Sequence, residues 1–126
     1  KSGAYLPYHR SAVNDRVVVE AYPGVLARSM IGRTKYKTDD RHAQTSSLYD
    51  ARVDILAQLA ERSRCAFGFD TIAPWSLADD PSGDELDAWL CAIQAAWAAN
   101  QSDGRFGAPS GLDPVEGWIA DPSLAV

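Results

Sequence analysis

The chain has little of what metal centres, disulfide frameworks and membrane spans are made from. Among its 126 residues are two cysteines, two histidines and one methionine. Cys65 and Cys91 fall in no CxxC pair, and His9 and His42 are isolated, so nothing has the spacing of a structural zinc site. Cys91 sits among alanines, and both thiols read as reduced and partly buried, as in a cytoplasmic protein. No run approaches the roughly 18 apolar residues of a membrane span, and the start carries no signal-peptide pattern. There is no internal repeat, no glycine-rich phosphate loop and no Ser-His-Asp pattern. The lack of a glycine-rich phosphate loop argues against a nucleotide-binding ATPase of the actin-like branch.

Cations are scarce in one half only. Residues 1–64 hold eleven Lys and Arg against seven Asp and Glu, whereas residues 65–126 hold Arg105 alone against ten acids. The halves therefore carry +4 and −9 within a net charge of −5. Such a split suits a first half that meets phosphate and a second half that supplies carboxylates, or two faces that attract each other. With 46% hydrophobic residues and four Trp, the chain can build one core. A single domain is expected over residues 17–126, and its oligomeric state is left open. Residues 1–16 contain Gly3, Pro7 and Asn14 without periodicity and read as a loop or poorly ordered lead-in, with Tyr5 and Tyr8 packed.

The organising stretch is 82–97. Leu86, Trp89, Leu90, Ile93, Ala96 and Trp97 share one helical stripe, with alanines on most of the opposite side. Its first turns carry Asp84, Glu85 and Asp87. Ser82-x-x-Glu85 fits a capping box, and Asp84 suits the positive end of the helix dipole. Asp87 lies past the first turn and is poorly explained by capping. Asp84 and Asp87 share a face, and carboxylates so placed are the kind of ligand hard cations take.

Residues 17–21, Val-Val-Val-Glu-Ala, read as an inner strand of an α/β sheet, because three β-branched residues in a row predict burial on both faces. Glu20 is the exception, either a carboxylate at the strand end that reaches solvent or an Arg such as Arg16 or Arg28, or a metal ligand. Helices are expected at about 24–31, ending at Gly32, at 47–64 and at 84–100. In the second of these, Asp50, Arg52, Asp54, Gln58 and Glu61 fall outside the apolar stripe. Arg33, Lys35, Tyr36 and Lys37 form a basic loop with one aromatic, able to steer phosphates and stack a base or simply to sit in solvent. Residues 65–82 read as an irregular connection, and 115–120 as a short strand between Pro114 and Pro122.

Four of these pieces, in this order and spacing, resemble one family. They are Val-Glu-Ala-Tyr-Pro at 19–23, Lys-Tyr-Lys at 35–37, Asp84-Glu-Leu-Asp87-Ala opening an alanine-rich helix, and Glu-Gly-Trp-Ile at 116–119. Together they look like the domain of unknown function 429 family, regarded as predicted nucleases of ribonuclease H-like fold. The Asp-x-x-Asp helix opening is also similar to that of RuvC-type resolvases. The resemblance implies an α/β ribonuclease H-like fold, here its C-terminal part with a central strand and about three helices. It further implies Mg²⁺- or Mn²⁺-dependent, two-metal phosphodiester hydrolysis, with Glu20, Asp84 and Asp87 as catalytic metal ligands and Arg33, Lys35, Tyr36 and Lys37 as nucleic-acid contacts. The family's first strands and leading Asp have no counterpart here, which implies a fragment of a longer domain or an incomplete site that is inactive alone. The rival expectation is a non-catalytic binding or scaffold module on the same fold. DNA and RNA are not distinguished.

Overall fold

The computed structural model describes residues 17–101, 105–113 and 115–125. The expected lead-in at 1–16, with Tyr5, Tyr8, His9 and Arg16, lies outside them. Three helices carry the fold: α1 (Pro23–Ile31), α2 (Ser46–Phe67) and α3 (Asp84–Ala99). Short 3-10 turns occur at Arg41–Ala43, Trp75–Ala78 and Pro122–Leu124. The three expected helices form within a few residues of their expected ends.

α1 starts where Pro23 takes the first helical position, its missing N–H costing nothing there. It stops at Gly32, whose φ of 64° is open to glycine and whose N–H donates to Arg28 O at 2.9 Å. Nine residues are too few for an isolated helix to persist in water. α1 is held by burying Leu26 and Ala27 against Ile55, Leu56 and Leu59 of α2 and Leu86, Leu90 and Ile93 of α3. Each of these large apolar side chains contributes about 1.5–3 kcal/mol when fully buried. Trp97, Ala98 and Ala120 form a second cluster with Val19 and Phe106 packed on it.

The expected α/β fold with a central strand is not formed. Among the described residues there is no sheet; an isolated parallel bridge joins Glu20 and Ile119, in which Ala120 N donates to Glu20 O at 2.8 Å. Val18 is 50% exposed and Glu20 is exposed, so residues 17–21 are an extended edge segment and not an inner strand. The residues at 115–120 likewise contribute one bridge, not a strand. The physical reason is partner number. A β-branched run is buried on both faces only when strands flank it and layers cover it, and here the apolar surface it would have covered is taken by helices packing on one another.

Two local readings also change. The N-cap of α3 is Gly83 at φ 73°, not Ser82. The backbone N–H of Glu85 is satisfied by Asp80 Oδ2 at 3.0 Å, while the Ser82 hydroxyl donates to Asp80 as well. Arg52, expected outside, is 3% exposed. Its Nε donates to Ala78 O and its Nη1 to Tyr36 O, each at 2.8 Å, so it ties the turn before α3 to the basic loop.

Candidate functional site: a basic cleft beside the start of α3

The loop after α1 does not project into solvent along its whole length. Arg52 holds the Tyr36 carbonyl, and Lys37 crosses the amino end of α3 so closely that a Cβ at Gly83 would lie 2.9 Å from Lys37 Cβ. Glycine is therefore required there both for its positive φ and for the approach of Lys37. This places Tyr36 and Lys37 over Asp87. Tyr36 Oη donates to Asp87 Oδ1 at 2.6 Å, and Lys37 Nζ donates to Oδ2 at 2.5 Å. Asp87, which capping explained poorly, is the acceptor that fastens the loop to the helix.

The electrostatic consequences follow from that carboxylate. Burial, and then the hydrogen bond to Asp87, push the Tyr36 phenol well above its ordinary value, so it stays a neutral donor. The hydrogen bond to Asp87 likewise raises Lys37. Burial, and then the nearby charge of Asp87, raise the Cys91 thiol and favour its neutral form.

Between the exposed face of α1 and this loop runs an open cleft of about 600 Å³. Its walls carry Arg28, Arg33, Lys35 and Lys37, with Asp87 as the one acid among its lining residues. Arg28, on α1, was not part of the basic loop picked out by composition. Its i, i+3 and i, i+4 spacing from Ile31 and Gly24, which also line the cleft, is the signal that could have placed it. Tyr22, 57% exposed, stands at the α1 end, with its ring against Gly24. Arg28, Arg33 and Lys35 make no side-chain ion pair or hydrogen bond among the described residues, so their charges face the cleft and solvent.

The expected metal ligands fare differently. Glu20 is exposed beside Gly117, with no side-chain partner among the described residues. Asp84 is exposed at the start of α3. Asp87 has both oxygens engaged by Tyr36 and Lys37. Among the described residues no group of three or more His, Cys, Asp or Glu side chains could hold a metal ion. Glu20, Asp84 and Asp87, as they stand among the described residues, do not fit a Mg²⁺ or Mn²⁺ site.

Of the four stretches, 19–23 bridges 116–119 through Glu20 and Ile119, and 35–37 sits on Asp87, while Gln94, farther along α3, donates through Nε2 to Tyr22 O at 3.0 Å. No family model matches the chain, and neither a curated protein nor a solved structure matches it. No described helix is long and apolar enough to cross a membrane.

Proposed function

We propose that this chain is a nucleic-acid-binding module, with the cleft between α1 and the 33–38 loop as its interface for single strands. The observation that carries this reading is the convergence of four cations on one cleft in a chain of net charge −5. Random placement on an acidic protein spreads cations among acids; here the cleft's single acid is already paired. An exposed tyrosine at one end supplies a face on which a base can stack. Phosphate contacts give such an interface its affinity and carry no sequence information directly. The free thiols Cys65 and Cys91 fit a reducing compartment such as the cytoplasm. Binding, not hydrolysis, is what the geometry supports, because the carboxylates are not gathered around a common point.

Fluorescence anisotropy of labelled oligonucleotides tests this. Three unpaired cations predict a slope of log K against log salt of about −2, at about 0.7 per phosphate contacted on a single strand. Replacing Arg28, Arg33 and Lys35 together by Gln removes most of that slope, and Tyr22→Ala weakens binding by about 1–3 kcal/mol without changing it. An unlabelled duplex competes poorly. Absence of binding at low salt, or a triple variant that binds like the parent, overturns the reading.

A further inference from the structure

Asp87 presents its two oxygens to two different donors, Tyr36 Oη at 2.6 Å and Lys37 Nζ at 2.5 Å. Two donors spaced to meet two oxygens of one anionic group make a seat for an oxyanion, and a phosphodiester offers the same pair of non-bridging oxygens. The seat opens into the cleft, since Tyr36, Lys37 and Asp87 all line it. The other cations of the cleft are unpaired, whereas this one is spoken for.

We infer that Asp87 is a built-in competitor: its carboxylate fills an oxyanion seat, formed by Tyr36 and Lys37, that a backbone phosphate of the bound strand takes over. The inference rests on the reading of the cleft as a nucleic-acid interface. Its physical basis is the difference between the two donors. Lys37 retains 41% of its side-chain exposure, and ion pairs so close to water contribute little and exchange readily. Tyr36 is half-buried, so its hydroxyl needs an acceptor at all times, and a phosphate oxygen replaces the carboxylate without leaving it unpaired. Asp87 itself stays in place, because its backbone N–H is held by Gly83 O at 2.9 Å within the first turn of α3. The competitor is tethered, so a ligand must outbid a carboxylate that never leaves. Weak or singly contacting anions are rejected, and strands that also engage Arg28, Arg33 and Lys35 are admitted.

The test uses the intact chain and a labelled oligothymidylate across a range of NaCl. Asp87→Asn keeps an acceptor for Tyr36 and frees Lys37. It is expected to raise affinity several-fold at low salt and to steepen the log–log salt slope by about 0.7, because the counterion released by the phosphate on Lys37 is then no longer offset by a cation taken up by the displaced carboxylate. Asp84→Asn removes the same charge three residues earlier and is expected to leave the slope unchanged. Adding Lys37→Met to Asp87→Asn returns the slope to that of the parent. In the unsubstituted chain, the carboxyl ¹³C resonance of Asp87 moves as oligothymidylate is added, a readout that requires no variant to fold. A parental slope in Asp87→Asn, an equal steepening in Asp84→Asn, or an unmoved Asp87 resonance at saturation overturns the inference. Should binding depend on Arg28, Arg33 and Lys35 while Asp87→Asn changes nothing, the competitor fails and the interface stands. Should the triple variant bind normally, the interface itself is misplaced.

Discussion

Arg52 lies on the side of α2 that periodicity assigns to solvent, yet 3% of it is exposed. Its guanidinium is satisfied by two carbonyls on different segments, Ala78 and Tyr36, and its Cζ lies 5.9 Å from the Tyr49 ring centroid. One cation thus spans the turn before α3 and the loop that lines the cleft. Arg52→Ala leaves both carbonyls short of a donor and is expected to cost about 2–4 kcal/mol, measured by urea unfolding. Arg52→Lys restores little, because a single ammonium cannot reproduce the planar fork that reaches both carbonyls. Full recovery by Lys would show that charge, not geometry, is what matters at this position.

At the scale of elements, α3 is organised from outside its own sequence. Its buried residues are Leu86, Leu90, Ile93, Gln94, Trp97 and Ala98, an arc rotated by roughly 70° from the apolar stripe, toward the side that carries Asp87 and Gln94. Polar residues with partners can be buried, and the partners were on other elements. Its start is capped by Asp80, four residues before the helix. Asp80 accepts from the N–H of Glu85 and from the N–H and hydroxyl of Ser82. The hydrogen bond from the Glu85 amide, followed by that from the Ser82 hydroxyl, holds Asp80 below the usual carboxylate range. A depressed carboxylate contributes stability that is present above its unfolded pKa and is lost as pH falls through the folded one. Asp80→Ala is therefore expected to cost about 1 kcal/mol near neutrality and nothing in strong acid. Thermal melts of both proteins from neutral pH down to acid should converge, and a gap that persists in strong acid would rule out this role.

Over the whole molecule, the C-terminal segment is joined to the helices by a buried polar tie. Gln94 and Asp121 are both fully buried. Gln94 Nε2 donates to Asp121 Oδ2 and to Tyr22 O, and Asp121 Oδ1 accepts from Ser123 N at 2.7 Å. α1, α3 and the Pro122–Leu124 turn thus meet at one amide. Gln94→Leu fills much of the same volume but leaves the Asp121 carboxylate dependent on Ser123 alone. The expected loss is about 2–3 kcal/mol, with hydrogen exchange faster across 118–125 and at the start of α1. Unchanged exchange there would mean that the segment is held by Trp97 and Ala120 packing instead.

Amphipathic periodicity, with the stop of α1 at Gly32, was sufficient to locate the three helices, because those signals are local and act within a turn or two. The basic character of residues 33–37 was equally legible, as was the inadequacy of capping for Asp87. Partnership was not. Whether Val-Val-Val at 17–19 becomes an inner strand depends on having strands on both sides, and whether Arg52 faces water depends on carbonyls 16 and 26 residues away. The side chain of Asp87 could equally have ligated a cation or received Tyr36 and Lys37. Its local sequence is the same in both cases, and only the tertiary structure shows a loop 50 residues distant docked on it. Local propensity sets which segments are helical, whereas the fate of a polar side chain is set by which groups the fold brings within hydrogen-bonding distance.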